Sequence, residues 1–293
     1  MHAAALLLPV CLGAVGTPVV LGPASPVNMS GATESPMEPL GPLFLESPST
    51  VGADTVQATV LGGSSVLALD AAPQPQTGVH LEVRTTVVVV AASYGLTDAL
   101  DASLVLPIVE ETLTLRARVG PVAGHTTVSA AGVSDLSARL KYQLLPDVAA
   151  TLQATFPTGD ASRGLGTGHY WLLPGLAADL PLGDRVLLSA QVAGNLNLSY
   201  TKQSGLTYGV GVSTLLGPVG VVAELLGSVG VQNALSLFGV QYGDGATVDL
   251  ALGLRLPLPH GFMVFLAGTY AVDHDGVRPA GVSPVLGVGW DVP

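Results

Sequence analysis

Polar and charged side chains recur at every second position in several segments of the chain, and they are the first candidates for a chemical role. Residues 185–200, "RVLLSAQVAGNLNLSY", show the pattern: Arg185, Gln191 and Asn195 share one parity, and apolar residues hold the other. This period of two predicts a β-strand with one polar and one apolar face. Acids and bases on such a face can pair with one another or guide a solute. The candidates selected on this basis as lining an enclosed lumen are Glu82, Arg84, Asp101, Arg139, Lys141, Asp179, Arg185, Gln191, Asn195, Glu224, Asp249 and Arg255.

Two interpretations of this polar set stay open. In the first, the charges form a cross-strand network that fills a narrow barrel and fixes its register. In the second, the bases form a ladder that guides an anionic or polarisable solute. Acids and bases are about equally frequent on the predicted inner face, so the first interpretation is favoured and no anion specificity follows. The ladder would consist of Arg84, Arg139, Lys141, Arg185 and Arg255.

Motifs for catalysis, nucleotides or metals are weak in this sequence. The glycine-rich runs at 164–168 and 209–217 do not stand between a strand and a helix, as a phosphate-binding loop requires. The six histidines show no metal-ligand spacing, and "DHDG" at 273–276 departs from a calcium loop after four residues. His125 with nearby Ser129 is too little for a serine hydrolase. The sequence therefore predicts no enzyme, no metal site and no cofactor.

The composition points to a membrane protein that crosses the bilayer with strands. Of 293 residues, 48% are hydrophobic and only 11% are charged, against about 25% charged in soluble domains. Beyond the N-terminus, no stretch has the roughly 20 uninterrupted apolar residues that a membrane helix needs. A closed sheet is the alternative that satisfies every backbone amide in lipid. The net charge of -11 argues against a nucleic-acid partner, and the single cysteine, Cys11, excludes an intramolecular disulfide.

The chain divides into three predicted parts. Residues 1–16, "MHAAALLLPVCLGAVG", resemble a signal peptide; the alternative is a disordered apolar leader. Residues 17–50 are rich in Pro, Gly and Ser without alternation, which predicts an extended or disordered lead-in. Residues 51–293 are predicted to form the barrel.

The fold class predicted for that third part is all-β: a single antiparallel transmembrane β-barrel of about twelve strands. Long and short connections alternate strictly along it, which is typical of outer-membrane barrels with short periplasmic turns and longer extracellular loops. Both ends should then lie at the rim with the short turns, and loops at 113–132, 158–168 and 230–244 should control solute access. The predicted strands are 54–66, 79–94, 99–113, 133–145, 148–157, 169–181, 185–199, 205–216, 218–229, 245–257, 261–272 and 281–291.

Several runs in the middle of the chain resemble a known bacterial family. They are "YGLTDALDASLVLPIV", "VSDLSARLKYQLL", "VAATLQATFPTGD" and "LGTG", with their distinctive parts at Tyr94–Asp98, Ser134–Tyr142 and Pro157–Asp160. They resemble the meta-pathway phenol-degradation family of outer-membrane transporters, over about residues 45–293. The resemblance implies a barrel fold and the uptake of aromatic or hydrophobic compounds.

Together these features predict a barrel in the bacterial outer membrane that mediates passive passage or binding of small aromatic or hydrophobic solutes. Its partners would be membrane lipid and a small-molecule solute, and not nucleic acid; the sequence assigns no oligomeric state. The alternative is a structural or adhesive barrel with a closed, plugged lumen and extracellular loops that bind a partner.

Overall fold

The computed structural model describes residues 40–71, 77–199, 204–230, 235–237, 240–242, 246–272 and 281–292. Nearly all of its regular structure is β, and no helix in this part of the chain is long and apolar enough to cross a membrane. The strands are β1 (Val56–Ala71), β2 (Thr77–Thr97), β3 (Leu100–Val119), β4 (Val122–Val133), β5 (Leu136–Leu145), β6 (Val148–Phe156), β7 (Trp171–Pro181), β8 (Val186–Asn197), β9 (Gly205–Leu216), β10 (Val219–Gly230), β11 (Leu235–Leu237), β12 (Val240–Tyr242), β13 (Ala246–Leu258), β14 (Phe262–Ala271) and β15 (Val282–Val292).

Twelve antiparallel strands close into one barrel. The sheet runs from β2 through β1, β15, β14, β13, β10, β9, β8, β7, β6 and β5 to β3, and β3 pairs back onto β2. The first and last strands pair with each other, Val56 opposite Val292, so both ends of the barrel lie at one rim. The short connections, such as 98–99 and 146–147, lie at that same rim. The predicted fold class, a single antiparallel barrel with short turns at one rim and long connections at the other, is confirmed.

The outer surface of the barrel is a belt of exposed aliphatic side chains. Many leucines and valines point outward at every second position. Leu252 on β13 and Leu266 on β14 are examples, and both are exposed. Aromatic side chains flank the belt near both rims, as the girdles of membrane barrels do. Tyr94 and Phe262 lie toward the short turns, and Tyr170 and Tyr270 toward the long connections. This outer surface suits lipid, and the predicted outer-membrane location is confirmed.

The predicted loop at 113–132 is not a loop, and this prediction is wrong. Strands β3 and β4 continue past the barrel as a hairpin that turns at Gly120, a residue with φ of +57°. Strand β4 then runs on into β5 with one extra residue, because Ile108 pairs with Val133 but Val105 pairs with Ser137. That extra residue is a β-bulge. It turns both Ser134 and Asp135 into the interior, where they are buried.

The other two predicted loops differ in how much of them the structure describes. Residues 158–168 form an irregular connection with a short 3₁₀ helix, Ala161–Arg163. Of residues 230–244, the described part includes two short strands, β11 and β12, that pair with each other.

Residues 40–50 form no strand, yet residues 41–48 are buried. Leu43, Phe44 and Leu45 are each at most 3% exposed, and Glu46 and Ser47 are buried beside them. The contacts given below are with inward-facing residues of the wall, so this part of the predicted lead-in lies inside the barrel. The predicted signal peptide at 1–16 lies outside the described residues.

Candidate functional site in the barrel lumen

A cluster of buried charges joins the N-terminal segment, residues 40–50, to the barrel wall. Arg139 and Lys141 lie two residues apart on β5, so both point inward, and Asp101 on the neighbouring β3 does the same. The Glu46 carboxylate forms an ion pair with Arg139, and its Oε1 lies 3.5 Å from the Lys141 Nζ. The Lys141 Nζ also lies 3.6 Å from Asp101 Oδ2. Removing one partner from such a buried cluster would leave an uncompensated charge.

Further hydrogen bonds hold the backbone of the segment against the same side of the wall. The Lys141 Nζ donates to the Ser49 carbonyl at 2.6 Å, and the Val51 N–H donates to Asp101 Oδ2 at 3.0 Å. The Glu46 N–H donates to Gln191 Oε1 at 2.6 Å. A segment without regular structure has no helix or sheet partners for its backbone N–H and C=O groups. Here polar side chains of the wall form hydrogen bonds with these groups.

A second anchor lies at the start of the segment. The N–H groups of Leu43 and Phe44 donate to the two carboxylate oxygens of Glu224 on β10, at 2.6 and 2.9 Å. Arg255 on β13 is fully buried and donates to the Pro42 carbonyl. Its guanidinium carbon also lies 5.2 Å from the centre of the Phe265 ring, within cation–π range.

One contiguous arc of the inner wall carries a cluster of buried apolar side chains, beside buried polar ones such as Glu224 and Arg255. It is formed by seven strands that are neighbours in the sheet, β3, β2, β1, β15, β14, β13 and β10. Leu43 and Phe44 of the N-terminal segment pack against this arc and complete its hydrophobic cluster. The arc, called the apolar wall below, consists of Leu61, Val89, Ala91, Val105, Val222, Ala251, Met263, Phe265, Ala267 and Val285, with Val87 and Leu226 at its margin.

Glycines on the inner face make room for the leucines of the segment. A Cβ atom at Gly253 would lie 2.5 Å from the Leu43 Cδ1, and one at Gly211 would lie 3.1 Å from the Leu45 Cδ1. Gly209 contacts Leu45 in the same way. A residue without a Cβ lets another chain approach the strand closely. The wall is therefore shaped to the segment that it contains.

Nine of the twelve predicted lumen residues point into the barrel. Gln191, Asn195 and Asp179 are half-buried on the inward parity of β8 and β7. The remaining six are buried, and all but Asp249 belong to the two anchors just described. These six are Asp101, Arg139, Lys141, Glu224, Asp249 and Arg255.

The other three predicted lumen residues lie elsewhere, and these predictions are wrong. On β2 the inward parity is that of Val83 and Thr85, so Glu82 and Arg84 face outward. They form an exposed ion pair at 3.7 Å, on the part of β2 that runs beyond the lipid belt. Arg185 is exposed in the turn before β8. The basic ladder thus loses two of its five members, and the described contacts favour a network of paired charges.

A second organised feature lies at the rim with the long connections. The bulge residue Asp135 accepts hydrogen bonds from the Gly159 N–H at 3.0 Å, and from the N–H and hydroxyl of Thr167 at 2.7 Å each. Connection 157–170 is thereby fixed to the start of β5. Within it, the Ser162 hydroxyl donates to Asp160 at 2.6 Å, and this bond holds the pKa of Asp160 below its usual range.

The structure offers no support for a hydrolytic site at His125. Asp135 faces inward and is bound to the connection, whereas His125 and Ser129 are exposed on the outward parity of β4. Within the described ranges, no group of histidine, cysteine and acidic residues is arranged to hold a metal ion.

Reasoning from sequence did not predict that Leu43, Phe44 and Glu46 lie in the lumen. The apolar run Leu43–Leu45 within a Pro- and Ser-rich stretch was the available signal, because a solvated lead-in would not need it. Its spacing has no period, so it gave no indication of where those side chains lie.

Comparison with solved structures identifies the same fold in outer-membrane proteins. An outer membrane channel from Pseudomonas putida F1 is 15% identical, with a TM-score of 0.59 over 83% of this chain and 97% of that chain. The Ralstonia pickettii toluene transporter TbuX is 13% identical, with a TM-score of 0.51 over 92% of this chain and 98% of that chain. The Pseudomonas putida toluene transporter TodX is 12% identical, with a TM-score of 0.50 over 90% and 97%. No curated protein matches the sequence.

A family profile matches residues 58–256, from β1 into β13, which is more than half of the chain. The matched region includes the three motifs that carry the resemblance seen in the sequence, and that resemblance is confirmed. The chain belongs to the family described as "Putative MetA-pathway of phenol degradation".

Proposed function

We propose that this protein is an outer-membrane channel through which small aromatic or hydrophobic solutes pass by diffusion. The observation that carries the proposal is the apolar wall, a cluster of buried apolar side chains contributed by seven neighbouring strands of the lumen. Membrane barrels that pass water-soluble solutes have polar interiors. An apolar interior surface, edged by a few placed polar groups, is the usual lining of a site for apolar ligands.

The charges of the lumen serve a different purpose in this proposal. Arg139, Lys141 and Asp101 pair with one another or with Glu46. They therefore present no free positive surface to an anion, and the solute is a neutral one. These buried charges of β5 and β3 instead position the N-terminal segment, and connection 158–168, fixed by Asp135, shapes the mouth at the other rim.

A second candidate function is a closed barrel that carries nothing and binds a partner through its extracellular connections. The observation in its favour is the N-terminal segment, whose residues 41–48 are all buried inside the lumen. A segment held by buried ion pairs would block passage if it never moved.

Solute uptake by whole cells separates the two functions. The full chain is produced in Escherichia coli, and the initial uptake of radiolabelled toluene is compared with that of cells carrying an empty vector, with labelled arabinose as the polar control. A channel for apolar solutes should raise toluene uptake about fivefold or more, since the lipopolysaccharide leaflet otherwise limits it, and should raise arabinose uptake much less. Toluene uptake equal to that of the vector cells, with correctly folded barrel in the membrane, would support the closed barrel instead.

A further inference from the structure

We infer that the solute-binding site is the part of the apolar wall now covered by Leu43 and Phe44, so that the N-terminal segment and the solute compete for one surface. The ligand class that follows is a neutral monocyclic aromatic, of the size of the phenyl group that already lies there. This inference rests on the proposed function and adds to it the position of the site and its internal competitor.

The nature of the covered surface supports an aromatic ligand. Phe44 is 3% exposed and lies in one cluster with Met263, Phe265 and Val222. The charged groups beside this cluster, Glu224 and Arg255, are bonded to the backbone of the segment. Methionine adapts its shape to different partners and makes favourable contacts with aromatic rings. A wall that holds a benzyl side chain can hold toluene in its place.

The way in which the segment is held allows this exchange. Its anchors are made by the backbone of Leu43 and Phe44, which donates to Glu224, and by the Glu46 side chain, which pairs with Arg139. No described hydrogen bond fixes the Phe44 side chain itself. The ring is therefore kept in place by apolar contact alone, which a free aromatic molecule can replace at sufficient concentration.

The neighbouring residue Leu45 gives a matched comparison. Leu45 is as buried as Phe44, at 1% exposed, but it lies over Gly209 and Gly211 of β9 and is not part of the apolar cluster. Truncating either side chain to alanine removes a buried apolar group from the same segment. Only the truncation at Phe44 vacates the proposed site.

The test measures toluene affinity of the purified, folded full chain by equilibrium dialysis with labelled toluene. Phe44→Ala should bind toluene about tenfold more tightly than the unmodified chain, because the competing group is gone. Leu45→Ala should change the affinity by less than about twofold. Adding Val222→Thr to the Phe44→Ala variant should lower the gained affinity severalfold, since a hydroxyl then faces the ring. Heat-modifiable migration on gels establishes that each variant is folded.

Two results would overturn the inference. One is equal affinity of Phe44→Ala and the unmodified chain; the other is an equal gain for Leu45→Ala, which would mean that any cavity binds toluene. Failure of the proposed function gives a different result. In that case no variant raises toluene uptake by cells above the vector level, whereas an error in the inference alone leaves uptake intact and insensitive to Phe44.

Discussion

At the scale of single residues, one carboxylate explains why three of the family-like motifs occur together. Asp135 belongs to the Ser134–Tyr142 motif, Gly159 to Pro157–Asp160, and Thr167 to the "LGTG" run. The carboxylate accepts hydrogen bonds from both of the other motifs. Gly166 lies so close that a Cβ there would be 2.5 Å from Asp135 Oδ1. These motifs are therefore a structural clamp at the rim, and they do not by themselves identify a solute.

Replacing Asp135 with asparagine should loosen this clamp. The side-chain nitrogen of asparagine cannot accept a hydrogen bond from Thr167, so one of the two acceptor oxygens of Asp135 is lost. Losing a hydrogen bond to a charged group costs about 2 kcal/mol of stability. Arg163 lies exposed in the connection, and trypsin should cut after it at least about threefold faster in Asp135→Asn than in the unmodified protein. Asp147→Asn, in an exposed turn at the other rim, is the control. Equal cleavage of both variants would show that Asp135 does not hold the connection.

At the scale of the strand, alternation predicted most of the barrel because lipid contacts only one face. The same rule failed where a strand leaves the bilayer. On β2 the polar residues Glu82 and Arg84 have the parity of the lipid-facing Val88 and Val90. The outer face of β2 contacts lipid along one part of the strand and water along another. The polarity of a residue therefore does not indicate which way its side chain points along the whole strand. For the same reason the polar hairpin of β3 and β4 was interpreted as a loop.

Two arginine substitutions at outward positions should locate the edge of the lipid belt. Leu252 lies near the middle of β13 and Ser129 on the extended β4, and both side chains are exposed on the outward face. Leu252→Arg should lower the free energy of unfolding by about 2 to 4 kcal/mol, the cost of an arginine facing the bilayer midplane. Ser129→Arg should change it by less than about 0.5 kcal/mol, because that side chain meets water.

Urea unfolding in liposomes, followed by tryptophan fluorescence, gives both values. Because both sites are exposed and face outward, the comparison separates the effect of position from that of burial. If both variants lost the same stability, β4 would lie within the lipid and the assignment of the extension would be incorrect.

At the scale of the whole molecule, the barrel and its N-terminal segment form one folded unit. The segment supplies the acid for two wall bases and two leucines for the inner glycines, and its backbone donates hydrogen bonds to Glu224 of β10. The bond between Leu43 and Glu224 joins residues 181 positions apart. Local patterns carry no information on contacts of that range in a segment without a period, so the sequence predicted the wall of the lumen and not its occupant.

The occupied lumen leads to a prediction about conduction by the intact channel. Glu46→Gln removes the charge that pairs with Arg139 and Lys141, and a buried pair that loses one partner is destabilised by about 3 to 5 kcal/mol. The segment should then leave the lumen more often, and planar-bilayer recordings should show ion conductance raised severalfold. Glu110→Gln, which removes an exposed acid from the outer face of β3, should leave conductance unchanged. Because the bases remain in the wall, the current through Glu46→Gln should favour anions. Conductance of Glu46→Gln equal to that of Glu110→Gln would mean that the Glu46 ion pairs do not hold the lumen closed.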